Sequence, residues 1–110
     1  MPSTRELVAS TCRATGITTA AEVFDPASVE TSARIVYRHE GTRSLKAAGK
    51  VVAIRDQWSV SLYSKRRAEA AEQLVESAFA DAGIPCGDSS SGFDDEHDLH
   101  WVEWNFELVR

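Results

Sequence analysis

An α+β domain is predicted by three features of the chain. Its expected form is a small mixed sheet of about four strands with two helices, in the order α-β-β-β-α-β. Between Arg55 and Pro85 the apolar residues change spacing once, from strict alternation to helical recurrence. The ending "LHWVEWNFELVR" alternates again, with Val102, Trp104, Phe106 and Leu108 on one face. The first residues carry helix start and stop signals without alternation. Strands and helices that do not repeat as βα units point to helices packed on one small sheet.

The first helix is expected over Ser3 to Thr15. Ser3 or Thr4 caps it, Glu6 sits in its first turn and Gly16 ends it. In "ITTAAEVFDPASVETS", Glu22 to Phe24 is a candidate short extended piece, and Asp25-Pro26 is a turn signal. "ARIVYRH" then reads as a strand, with Ala33, Ile35 and Tyr37 opposite Arg34, Val36 and Arg38. Glu40 to Lys50 shows no period and is bounded by Gly41 and Gly49, so it reads as a long connection.

Val52, Ile54, Trp58, Val60 and Leu62 share a strand face that Asp56 interrupts, marking a bulge there or a turn between two strands. Gln57, Ser59, Ser61 and Tyr63 point the other way. Ser64 is placed to cap the second helix. That helix carries Ala68, Ala71, Leu74, Val75, Ala78, Phe79 and Ala82 on one side. Gly83 stands at its C′ position, Ile84 makes the accompanying apolar contact and Pro85 blocks continuation. "CGDSSSGFDDEHD" is a polar loop leading to the last strand.

With 110 residues, residues 1–110 form one domain, large enough for one core but not for a core and a deep cleft. A net charge of −5 argues against tight non-specific binding to nucleic acid or an anionic membrane, which needs clustered Lys and Arg. Lys65, Arg66 and Arg67 form the one dense basic run, and it reads as a solvated helix start. Cys12 and Cys86 make no disulfide framework and read as free thiols of a reducing compartment. There is no signal-peptide pattern and no apolar run of membrane-spanning length.

The search for chemistry yields no catalytic residue, metal site or cofactor. In "FDDEHDLH", Asp94, Asp95, Glu96, His97, Asp98 and His100 offer oxygen and imidazole ligands, but their spacing matches no known metal loop. Cys86 and Ser89 to Ser91 lack the elbow and ordered triad of a nucleophile. A surplus of aromatic area on the face opposite Trp104, with Tyr63 and Trp101, reads instead as interface, unless the N-terminal helix covers it.

The ordered trio Leu62-Tyr63-Ser64-Lys65, Ala82-Gly83-Ile84-Pro85 and the alternating ending Trp104 to Leu108, preceded by "IVYRHEG", resembles small tail-completion proteins of long-tailed bacteriophages. These are the tail terminator, or tail-to-head joining, proteins. The resemblance spans roughly residues 33 to 109 and departs from the family pattern at Ser64, where threonine is expected. It implies a structural virion protein and not an enzyme. It implies a homo-oligomer, a hexameric ring on the tail tube that ends tube polymerisation and joins the tail to the head. The partners implied are the tail tube protein and head-connector (neck) proteins, with DNA passing through the lumen unbound and no membrane. The implied location is the virion tail at the head–tail junction, after assembly in the host cytoplasm.

On that reading Tyr63, Trp101, Arg43 and Lys46, with the loop from Thr42 to Lys50, are expected at subunit or tube contacts. The acidic residues Asp94, Asp95, Glu96 and Asp98 are expected to face the lumen and keep DNA from sticking. Two alternatives remain: another head–tail connector or neck protein, and a small metal-dependent hydrolase using His97, His100 and the adjacent acids.

Overall fold

Trp58, Val60 and Leu62 share one face of a strand and are buried, as alternation requires. They sit at the centre of a computed structural model that describes residues 3–26, 29 and 32–110. Helix α1 spans Thr4–Ala14, β1 Thr18–Ala21, β2 Arg34–Ala47, β3 Lys50–Ser64, α2 Glu69–Asp81, β4 Ser89–Asp94 and β5 Leu99–Val109. The architecture is α+β, with a mixed sheet of five strands in the order β1-β2-β3-β5-β4. β1 pairs parallel with β2, and every other pairing is antiparallel.

Both helices pack on the same sheet face. Val8, Ala9 and Cys12 of α1 and Val75 and Phe79 of α2 join one core with Ile35, Tyr37, Trp58, Val60, Leu62, Val102, Trp104 and Phe106. Phe79 tilts against Phe106 with centroids 5.3 Å apart. Burying each such side chain stabilises the fold by about 1.5–3 kcal/mol. Leu74 and Ala82 of the predicted stripe are exposed, and Leu74 is its one large side chain left so. It is half exposed, in a groove shared with Leu7 and Ala14 of α1.

The N-terminal helix therefore does not cover the second sheet face. Phe24, on the connection from β1 to β2, stacks on Tyr63 there at 4.4 Å. Ser59 and Ser61 of that face are also buried, donating to Glu40 at 2.5 Å and Glu103 at 3.4 Å.

Helix ends follow the sequence at one helix and depart from it at the other. Ser3 accepts from the Glu6 amide at 3.1 Å and caps α1. Ser64 does not cap α2: the helix begins later, and its N-cap is Ala68, with no side-chain bond. Lys65 to Arg67 are non-helical, and Arg67 instead pairs with Glu72 of the first turn at 3.3 Å. At the far end Gly83, with φ +73, donates to the Ala80 carbonyl and Ile84 to that of Phe79, closing a Schellman motif over buried Ile84. Space around Gly83 is open, so Gly83→Ala is limited by backbone strain alone. A loss of about 1–2 kcal/mol is expected in denaturant unfolding, with the fold unchanged.

Three expectations about where strands lie need correction. The piece expected at Glu22 to Phe24 lies one step earlier, at Thr18–Ala21. Glu22 turns out of the strand with φ 63 and pairs with Arg5 at 2.9 Å. The connection Glu40 to Lys50 is not a loop. β2 and β3 stay paired to Ala47 and Lys50, and Ala48 and Gly49, at φ 52 and 76, form the two-residue turn of a type I′ hairpin. The polar loop before the last strand also contains a strand, β4, which brings the sheet to five.

Asp56, finally, marks neither a break nor a turn in β3. It stays in register between Thr42 and Leu108, and the irregularity lies on the partner strand, between His39 and Gly41.

Candidate functional site

Every candidate residue lies near one of the sheet's two ends. β3 sets the axis: Arg55 pairs with Val109 and Ser64 with His100, about 30 Å apart along the strand. At the Arg55 end, β5 stops with a final rung between Ile54 and Arg110. β2 and β3 continue beyond it as a two-stranded ribbon closed by Ala48-Gly49. The ribbon is exposed from Thr42 to Val52, including Leu45, Val51 and Val52. It carries the predicted contacts Arg43 and Lys46, with Lys50 beside them. Between Thr42 and Arg55 there is no acidic residue.

Asp56 anchors the ribbon's base. Its carboxylate is 2% exposed as a residue and accepts from Thr4 of α1 at 2.5 Å, Thr42 of β2 at 3.0 Å and Arg110 Nε at 2.9 Å. His39 Nε2 stands 3.4 Å away. Burial pushes this carboxyl up, but the three donors outweigh it and hold Asp56 down to about 2. The first helix, the hairpin and the C-terminus thus meet on one charge. Sequence reasoning missed this role, although a lone carboxylate in an apolar row was its visible sign.

The opposite end brings Tyr63, Trp101 and the acidic turn together. Tyr63 and Trp101 are register partners on the face away from the helices. Tyr63 is half buried under Phe24. Trp101 lies over Gly92 of the edge strand β4, its register partner. A Cβ at Gly92 would stand 2.6 Å from Trp101 Cζ2. Gly92→Ala is therefore expected to dislodge the indole and lower stability by about 1–3 kcal/mol, read from unfolding and from a red shift in tryptophan emission.

Asp94 ends β4, and the turn joining it to β5 holds Asp95, Glu96 and Asp98. His97 Nδ1 bonds Asp94 at 2.8 Å, and this contact, with the His97 and Glu96 amides, holds the Asp94 carboxyl below its usual range. Asp95, Glu96 and Asp98 are exposed and have no ion pair among the described residues. Lys65 reaches the same turn but donates to the His97 carbonyl, at 3.1 Å.

Asp94, Glu96 and His97 have ligand atoms within 4.8 Å of one another. They sit on an exposed turn, and Asp94 and His97 already satisfy each other. His100 instead packs on Phe93, with centroids 4.8 Å apart. Cys12 and Cys86 are free thiols, pushed by burial up to about 12 and about 11. Neither is a thiolate near neutral pH. Among the described residues no helix is long and apolar enough to cross a membrane.

No protein-family model matches the chain. No curated protein matches it either. Among solved structures, it is similar to the sheath/tube terminator of an extracellular contractile injection system, PVC, determined by cryo-EM in the extended state. The match has a TM-score of 0.51 at 11% identity and covers 97% of this chain. The chain spans about half of that neighbour, 55% of its length. At that identity the likeness is one of fold: nearly the whole chain has the fold of part of a tube terminator.

Proposed function

We propose that this chain is a terminator subunit of a phage-type tail. Copies of it close into a ring on the last layer of the tail tube, stop tube growth and present the surface that joins the head. The carrying observation is the fold shared over 97% of the chain with a sheath/tube terminator. The exposed ribbon adds support, because a two-stranded extension with uncovered Leu45, Val51 and Val52 suits contact with another subunit. On this reading the partners are the tube protein and the neck proteins, DNA passes through the ring, and the role is structural and not catalytic.

The direct test adds the purified chain to its tube protein during polymerisation. Short tubes carrying a ring at one end are expected in electron micrographs. Tubes that grow to unregulated length with bare ends would overturn the proposal. Another connector of the neck shares most of these features, and it would bind the head vertex but leave tube growth unchanged.

The Asp94, Glu96 and His97 cluster is the one observation favouring a metal-dependent hydrolase. On the terminator reading, added zinc or magnesium leaves the melting temperature unchanged. A rise that Asp94→Asn with His97→Ala abolishes would favour the hydrolase.

A further inference from the structure

We infer that the basic ribbon of one copy docks on the acidic β4–β5 turn of the next, so that this pair of surfaces is the head-to-tail contact between copies. The inference rests on the terminator reading for its setting, but its evidence is the charge distribution of the chain itself. The ribbon presents Arg43, Lys46 and Lys50, none with an acidic partner among the described residues. Its neighbour at the ribbon base, Arg55, is already engaged by Glu107 at 3.7 Å. The turn presents Asp95, Glu96 and Asp98, equally unpaired, because His97 takes Asp94 and the carbonyl of His97 takes Lys65.

These two sets cannot neutralise each other within one molecule. β3 separates them by about 30 Å, roughly three Debye lengths at 0.1 M salt. A second copy brings them together. A closed ring of identical subunits needs two different and complementary patches on each subunit, pointing away from each other. A basic ribbon and an acidic turn at opposite ends of one sheet meet that requirement. A two-fold pairing of ribbon on ribbon, or of turn on turn, would instead set like charge against like. Leu45, Val51 and Val52 supply apolar area among the ribbon's cations, and Phe93, 45% exposed on β4, supplies it beside the turn. Steering by charge and closure over apolar side chains thus fall on the same two surfaces.

A charge-swap experiment tests this. One variant carries Arg43→Glu, Lys46→Glu and Lys50→Glu; the other carries Asp95→Lys, Glu96→Lys and Asp98→Lys. Circular dichroism first establishes that each is folded, and a milder series at the same positions, glutamine in the ribbon and asparagine or glutamine in the turn, replaces any that is not. Sedimentation at low salt is then expected to show self-association of the unaltered chain, weakened at least about tenfold at roughly 0.5 M salt. Each variant alone is expected to stay monomeric. Their equimolar mixture is expected to associate again, because the reversed ribbon meets the reversed turn and the native ribbon the native turn.

An unaltered chain that remains monomeric at low salt, or a mixture that fails to associate, overturns the inference. So does self-association indifferent to both reversals, which would leave the turn's charge for another role, such as repelling nucleic acid. The outcome is separable from the tube-capping test. Charge-swapped association without capping sinks the terminator reading alone, and capping with charge-indifferent association sinks only this contact.

Discussion

Asp56→Ala is expected to lower stability by about 2–3 kcal/mol, a large share of the 5–15 kcal/mol that holds a typical domain. The change leaves Thr4, Thr42 and Arg110 without their shared acceptor, and it empties a site that packing does not refill. Because the three donors come from α1, β2 and the C-terminus, the loss is felt at the root of the ribbon as well as globally. Local opening there should appear as faster hydrogen exchange at Thr42 and Ile54 than at core positions such as Val60.

The pH dependence follows from the same contacts. Asp56 has a folded pKa of about 2, below the ordinary carboxyl value near 4. A depressed folded pKa means that its contribution is fully present above the unfolded value. That contribution is lost as pH falls from about 4 toward about 2. A drop of that size corresponds to about 2–3 kcal/mol. Asp56→Asn is expected to flatten this part of the acid limb in a series of melts. An unchanged acid limb in Asp56→Asn, together with a loss below about 1 kcal/mol in Asp56→Ala, would show that the carboxylate does not tie these elements together.

The same stretch shows why part of the fold was legible in the sequence and part was not. Alternation from Trp58 to Leu62 and from Val102 to Phe106, and the Gly83-Ile84-Pro85 stop, are local signals with local causes, and the structure keeps them. The hairpin was hidden because two register shifts, between His39 and Gly41 and between Leu45 and Lys46, break the period of two on which a strand is recognised. Its turn was hidden because Ala48 adopts a left-handed conformation that favours glycine or asparagine.

β4, with Ser89, Ser90 and Ser91, has little strand propensity, and its extension rests on pairing with β5. Of the candidate site, the sequence could name Tyr63, Trp101, Arg43, Lys46 and the acids. It could not place them at opposite ends of one sheet, because that placement depends on how β3 pairs with β5. The ribbon's projection likewise depends on β2 and β3 staying paired out to Ala47 and Lys50, beyond the Arg55–Val109 rung that joins β3 to β5.

Trp104→Ala and Trp101→Ala should separate folding from assembly, although the two residues lie three apart on one strand. Trp104 is 1% exposed and faces the helices, in the same layer as Tyr37 and Val60. Truncating it removes a large buried ring and leaves a cavity that the backbones of β3 and β5 cannot close, since both are fixed by pairing. A loss of about 3–5 kcal/mol is expected, read as a much lower denaturant midpoint.

Trp101 lies on the other face, where it is half buried over Gly92. Its truncation exposes a glycine-bearing edge strand but opens no core cavity, so about 1–2 kcal/mol is expected. The monomer remains folded by circular dichroism. Its larger effect should be on association, because Trp101 borders the acidic turn, and an aromatic side chain beside a charged patch contributes more to a contact than to a monomer. Equal losses of stability in the two variants would contradict the face assignment. Unchanged association in Trp101→Ala would move the contact away from this end of the sheet.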